Sequence, residues 1–372
     1  MDNRNSGKTR RFVSRRRRAE GKLRAAGVDA LLVAKAEDVG YLSGFGGEDS
    51  VLLVGRGWAC LVTDGRYDEQ ARRECGGIDV HVRKRGMSEA IAEALKGRRV
   101  RRLGVQAESF TLLQQDRLAA ALPHKRLRAV PGAVASLRLV KDAAEIRTIT
   151  RAVRIAERAF GELLAAGRRA WVGRRERDLA AELEYRMRLA GADGASFATI
   201  VAAGSHASLP HYRPAGRRIR ADEAVLVDWG AKAGGYCGDL TRVVFTGRIP
   251  PRLARVYEAV RRAQAAGIAA VHAGASLRRV DAAARDVVAE AGWGEQFVHG
   301  LGHGLGREIH ERPALARTAK GRLRAGMVIT VEPGIYLPGV GGVRIEDDVV
   351  VTVGGCRRLS RLPRDIRAMS LR

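Results

Sequence analysis

The chain has 372 residues, of which 46% are hydrophobic and 29% charged, and a formal net charge of +26. That length allows two domains, each with a sizeable core. No run approaches the roughly 18 apolar residues that span a bilayer, and the N-terminus lacks the apolar core of a signal peptide, so a cytoplasmic protein without a membrane partner is expected.

Clustered Lys and Arg would neutralise nucleic-acid phosphates, but here the charge is dispersed. Residues 1–18 hold eight basic side chains and one acid, and the rest of the excess is spread along the chain. Only nine of the 67 basic residues are Lys, a bias that GC-rich codon usage explains as well as any ligand does. Solvated surface charge with weak, salt-sensitive adhesion to polyanions is expected, and no specific nucleic-acid partner. Cys60, Cys75, Cys237 and Cys356 are widely scattered, without the Cys-x-x-Cys spacing of a zinc or redox pair, and are expected to be reduced.

In chain order, residues 1–11 read as a disordered basic tail, and a helix pattern runs from Phe12 towards Ala26. Strand signals follow at 29–35, 51–54, 58–63, 78–82 and 103–105, with helices around 67–74 and 88–95. This alternation indicates an α/β domain over 12–135. A basic segment with Pro123 and Pro131 then leads into two helices, 143–166 and 176–190, with the 3.6-residue apolar recurrence of core-facing helices. Beyond them strands and helices fall in blocks: strands at 195–203, around 328 and at 343–353, and helices at 253–273 and 277–291. Residues 136–372 are therefore expected to form an α+β domain with a mixed, largely antiparallel sheet.

The chemistry is carried by five pieces of this second domain. Val225 to Val244 reads as a hairpin with a Gly-rich turn, each strand bearing one carboxylate, Asp228 and Asp239, which should face each other. An unpaired Asp within a strand is costly if buried, and a cation would compensate two of them. The segment 298–310 sets His299, His303 and His310 among glycines. Glu332 ends a strand before Pro333, Arg344 and Glu346 share one face of another, and His211 lies upstream of the hairpin.

Singly, each piece has an ordinary explanation. The two Asp suit hairpin ends, a lone His is more often a satisfied core or surface residue than a ligand, and the acids at 346–348 suit a solvated edge. The glycines of 298–310 serve turns as readily as ligand approach. Together, four carboxylates and one imidazole make a hard, oxygen-rich set suited to Mn²⁺ or Co²⁺. Two ions roughly 3.5–4 Å apart need bridging carboxylates, and this set has enough of them.

The ordered series Asp228, Asp239, His303, Glu332 and Glu346, in the contexts Val-Asp-Trp-Gly, Gly-Asp-Leu-Thr-Arg, Gly-His-Gly, Glu-Pro-Gly and Arg-Ile-Glu-Asp, resembles the M24 metallopeptidases of pita-bread fold. Tyr41-Leu-Ser-Gly-Phe, Thr63-Asp-Gly-Arg-Tyr, Leu137-Arg-Leu-Val-Lys-Asp and Ser196-Phe-Ala-Thr-Ile resemble their aminopeptidase P and prolidase branch, whose N-terminal domain is the ribonuclease-H-like creatinase/prolidase type. The resemblance implies two divalent ions, Mn²⁺ foremost with Co²⁺ or Zn²⁺ as alternatives. Asp239 and Glu346 would bridge them, Asp228 would complete one site and His303 with Glu332 the other. A metal-bridging hydroxide would attack the bond, with Glu332 shuttling the proton. His211 and His310 would contact substrate and tetrahedral intermediate, His299 would line the pocket, and Arg344 would orient a carboxylate.

The reaction implied is hydrolysis of Xaa-Pro bonds in peptides with proline second, by an aminopeptidase or, alternatively, by a dipeptidase (prolidase). A homodimer is implied as well. Two further readings are a non-catalytic pita-bread binding module, in which loss of metal ligands is expected, and creatinase-like hydrolysis, which does not use the metal set.

Overall fold

The computed structural model describes residues 3–371, which divide into two compact units between Arg138 and Leu139. Among the described residues no helix is long and apolar enough to cross a membrane.

The first unit comprises α1 (Asn3–Ala25), β1 (Ala30–Val33), α2 (Ala36–Ser43), β2 (Val51–Gly55), β3 (Trp58–Thr63), α3 (Asp68–Glu74), β4 (Asp79–Val82), α4 (Met87–Ala94), β5 (Arg102–Val105), α5 (Leu112–Ala121), β6 (Arg126–Ala129) and α6 (Ala135–Arg138). Its six strands form one mixed sheet in the order β4-β3-β2-β1-β5-β6. Alternation along the strands divides the core. Leu31, Val33, Leu52, Val54 and Leu61 pack with Leu23 of α1 and Leu42 of α2, whereas Leu32, Leu53, Cys60 and Val62 pack with Ile91 of α4 and Leu118 of α5.

The basic tail expected over 1–11 overlaps α1, which begins at Asn3; Met1 and Asp2 lie outside the described residues. Arg and Lys are good helix formers, so a basic run prolongs a helix as readily as it forms a coil. Farther along α1, Arg15 and Arg16 are buried, and their guanidinium groups donate to the carbonyls of Tyr41 and Leu42.

The second unit comprises α7 (Ala143–Ala165), α8 (Glu176–Leu189), β7 (Gly194–Ala195), β8 (Ile200–Ala203), β9 (Ala224–Trp229), β10 (Ala231–Ala233), β11 (Tyr236–Cys237), β12 (Leu240–Phe245), α9 (Pro251–Ala269), α10 (Leu277–Glu290), β13 (Gly302–Gly304), β14 (Glu311–Leu315), β15 (Val328–Val331), β16 (Gly334–Leu337), β17 (Gly341–Arg344), β18 (Asp347–Val351) and β19 (Cys356–Arg358). A three-stranded sheet, β12-β9-β8, and a five-stranded one, β14-β13-β15-β18-β19, are antiparallel throughout. Helices cover both faces of these sheets. Val201, Val225, Val227, Val244, Val328 and Val350 pack with α7 and α8, and Leu226, Val243, Phe245, Ile329 and Val331 pack with α9 and α10.

Two local features place the ligands. The β10–β11 turn is Gly234-Gly235, both at positive φ (58° and 74°), a two-residue connection that fixes the hairpin register. The glycines flanking His303 do not form a turn. Gly302 and Gly304 are extended residues of β13, and a Cβ on them would lie 2.2 Å from the backbone oxygens of Thr330 and Arg312 respectively. β13 therefore fits between β14 and β15 because it lacks side chains on either side of His303. Gly302→Ala is expected to destabilise the protein by about 3 kcal/mol in urea unfolding, because rigid backbone must shift; a loss below about 0.5 kcal/mol would mean that the strands separate freely.

Candidate metal centre and active site

Pairing runs in one register from Ala233↔Tyr236 through Leu240↔Trp229 to Ala224↔Phe245, so Asp228 lies opposite Thr241 and Asp239 falls opposite Gly230. The two acids do not face each other directly, as was expected. They share a face, two residues apart, because the two-residue turn sets a register that a Gly-rich stretch alone does not specify.

Glu332 and Glu346 sit at a deliberate break in another hairpin. The register of β15–β18 (Val331↔Asp347) continues into β16–β17 (Gly334↔Arg344), which puts Glu332 opposite Glu346 and Pro333 opposite Ile345. The ladder opens there. Pro333 has no N–H to donate, the Glu332 amide donates instead to Leu301 O at 2.8 Å, and the Glu346 amide to Thr241 O at 3.2 Å. Strands on both sides thus draw the two carboxylates towards His303 and towards the Asp228–Asp239 hairpin.

Ligand atoms of Asp239, His303 and Glu346 all lie within 4.8 Å of one another. His303 Nε2 is 3.3 Å from Glu332 Oε1 and 3.6 Å from Asp239 Oδ2. His303 Nδ1 lies 3.1 Å from Gly304 O, which favours the tautomer that leaves Nε2 free as a donor to a cation. Asp228 offers one oxygen to the Arg344 guanidinium, and its Oδ1, although buried, has no hydrogen-bond partner among the described residues.

Burial, and after it the neighbouring carboxylates, raise Asp239 and Glu346 well above the usual carboxylate range; burial also raises Asp228 against the pull of Arg344. Burial pushes Glu332 up too, but the His303 hydrogen bond and charge overcome it and bring the carboxyl down to about 2. His303 is raised, since Glu332 outweighs its burial. Such a set of packed acids, one with an orphaned oxygen, fits divalent cations, and its donors match hard ions.

Arg344 is 3% exposed and joins the parts. Besides Asp228 it donates through Nε to Thr241 Oγ1 at 3.1 Å and through Nη1 to Tyr336 OH at 2.8 Å. Thr241 in turn donates to Glu346, and Tyr336 OH meets His299 Nε2 at 2.9 Å. His310 stands edge-on to His303, ring centroids 4.4 Å apart, and its side is open to solvent. His211 is exposed and its imidazole has no partner among the described residues.

The acids at 346–348, which taken singly would also suit a solvated edge, are all buried. Asp347 is held by Arg242 at 2.8 Å, by Gln264 at 2.9 Å and by Ser360. Asp348 accepts from the Asp239 amide at 2.9 Å and leaves its Oδ1 without a partner among the described residues, so it backs the carboxylate cluster. Asp348, Thr241, Thr330 and Tyr336 were not expected at the site. Only Asp348 left a signal, three successive acids inside an apolar strand.

A model of metallopeptidase family M24 matches residues 147–353, and one of the creatinase/prolidase N-terminal domain matches 15–140. The chain is 34% identical over 344 residues to an Xaa-Pro dipeptidase of Pyrococcus horikoshii, covering 91% of this chain and 94% of the relative. Among solved structures it resembles an Xaa-Pro dipeptidase from Bacillus anthracis (34% identity, TM-score 0.93, covering 97% of this chain and 100% of that one). It also resembles an X-Pro aminopeptidase from Thermotoga maritima (35% identity, TM-score 0.87, covering 94% and 99%). With a carboxylate-rich centre built on antiparallel sheets and an α/β domain preceding it in sequence, the chain belongs to metallopeptidase family M24, in the group of Xaa-Pro dipeptidases and aminopeptidase P.

Proposed function

We propose that this chain is an Xaa-Pro dipeptidase, hydrolysing dipeptides whose second residue is proline. The observation that carries the choice of dipeptidase is a pocket lined by Phe297, His299, Arg285 and Arg317. Arg285 is committed to Asp281 and to the carbonyls of Phe297 and His299. Arg317 is exposed and makes no hydrogen bond or ion pair among the described residues, which leaves a guanidinium fork for the C-terminal carboxylate of a short substrate. The named dipeptidase relatives support the same reading. The Thermotoga aminopeptidase supports the second one, an Xaa-Pro aminopeptidase.

In this reading Asp228, Asp239, His303, Glu332 and Glu346 would together hold two divalent ions, Mn²⁺ foremost with Co²⁺ or Zn²⁺ as alternatives. Bound there, the ions would supply a water of lowered pKa and a Lewis acid for the scissile carbonyl. Glu332, steered by Thr330 at 2.9 Å, would accept the proton of the attacking water and deliver it to the leaving proline nitrogen. An Xaa-Pro bond has no N–H, so the site needs no acceptor for one and encloses the ring instead. His211 and His310 donate to the oxygen that gains charge, and His299 walls the proline side. Retention of the full ligand set argues against a non-catalytic module.

The test is hydrolysis of Ala-Pro and Ala-Pro-Ala by protein stripped with chelator and reloaded with Mn²⁺ or Co²⁺. Metal-restored cleavage favouring Ala-Pro is expected; preference for Ala-Pro-Ala would make the enzyme an aminopeptidase, and cleavage of neither by protein holding two metals would end the Xaa-Pro reading. Arg317→Ala is expected to raise KM for Ala-Pro about 30-fold, the worth of a charge-assisted hydrogen bond, while Ala-Pro-amide is cleaved as by the parent. Equal effects on acid and amide would place Arg317 off the carboxylate.

A further inference from the structure

Glu176, the first residue of α8, is fully buried and stands outside the ligand set. Its carboxylate gathers three groups from one segment. Oε1 accepts from the Ala203 amide at 2.8 Å and lies 2.9 Å from His206 Nδ1, and Oε2 accepts from the Tyr212 hydroxyl at 2.8 Å. The His206 and Tyr212 rings lie against each other with centroids 4.5 Å apart. These groups mark out residues 203–212, from the end of β8 to the neighbour of His211.

His211 has nothing of its own to hold it, since the imidazole is exposed and without a partner among the described residues. Its position is set by the residues on either side. Arg344 Nη1 reaches Pro210 O at 3.5 Å, and Glu176 holds the Tyr212 hydroxyl. Burial, and then Glu176 itself, push the Tyr212 phenol up, so it remains a donor throughout the neutral range. A buried carboxylate is costly unless its oxygens are satisfied, and one that collects three donors from a single segment orders that segment more sharply than apolar packing would.

We propose that Glu176 is a positioning residue for catalysis, fixing segment 203–212 and, through Tyr212, the placement of His211 at the metal centre. The proposal rests on the reading of His211 as a group that acts on the substrate. Glu176→Ala orphans three polar groups and frees the segment, whereas Glu176→Gln keeps an oxygen for the Ala203 amide and an amide N–H for the Tyr212 oxygen.

The experiment is a double-mutant cycle on Mn²⁺-loaded protein with Ala-Pro. Glu176→Ala is expected to lower kcat about 50-fold with KM changed less than about threefold and both metals retained, and Glu176→Gln to recover to within about fivefold of the parent. In a His211→Ala background, Glu176→Ala should lower kcat by less than about twofold more, because there is no ring left to misplace. Should Glu176→Ala fail to fold, Tyr212→Phe removes one hydroxyl and carries the same cycle, with about a tenfold loss alone and none in the His211→Ala background. Full additivity in either cycle overturns the proposal while leaving the role of His211 intact. Parental turnover of His211→Ala removes that role instead, and the proposal with it.

Discussion

Asp239→Asn is expected to lower kcat by at least about 10³-fold and metal content to one ion per chain or fewer, yet to make the chelated protein more resistant to heat than its chelated parent. The first effect follows from removing a carboxylate proposed to hold both ions. The second follows from electrostatics. Burial and the neighbouring carboxylates raise Asp239 in the folded protein. An acid whose folded pKa lies above its unfolded value of about 3.9 binds more protons folded than unfolded, so its contribution is favourable at low pH and is lost as pH rises. The chelated parent should therefore lose stability relative to Asp239→Asn progressively as pH rises above the unfolded value. Loading the parent with Mn²⁺ should reverse the order, because the ions bind only the folded, deprotonated set. Metal analysis, kcat and unfolding curves at pH 4.5 and 8, with and without chelator, read all of this. Parental turnover with two metals bound would take Asp239 out of the ligand set.

The parts of the fold that were legible in the sequence are those in which one physical rule dominates. α7 and α8 follow from the 3.6-residue recurrence of their apolar positions, and α7 also carries an Asp142/Glu145 capping box at its start. The Val225–Val244 hairpin follows from two apolar runs around Gly234-Gly235, and the alternating strands of the first unit follow from their continuous apolar runs. β13 was not legible, because its glycines are demanded by the oxygens of Thr330 and Arg312, which are distant in sequence. Nor was β6, whose Arg-Leu-Arg-Ala carries almost no apolar signal. At the centre, residue types and order pointed to the five proposed ligands. Their support did not, since Thr241, Tyr336 and Glu176 are ordinary residues until folding brings them against Glu346, His299 and the His211 segment.

Arg344→Lys is expected to retain metal but lose about 10²- to 10³-fold in kcat, and Arg344→Met to lose in addition about 3–5 kcal/mol of stability in the chelated protein. Arg344 keeps its charge in burial and spends it on Asp228, while its remaining N–H groups reach Thr241, Tyr336 and Pro210, each in a different direction. A lysine supplies the charge at one point and cannot span the fork, so Asp228 stays compensated while the links to Glu346, His299 and the His211 segment are cut. Methionine removes the charge as well and leaves Asp228 buried without a cation. Bound Mn²⁺ would supply that cation, so loading should restore much of the stability of Arg344→Met without restoring its turnover. The two readouts thus separate charge from geometry. Recovery of both on loading, or parental kcat in Arg344→Lys, would show that positive charge alone suffices beside Asp228 and that the fork does not align the site.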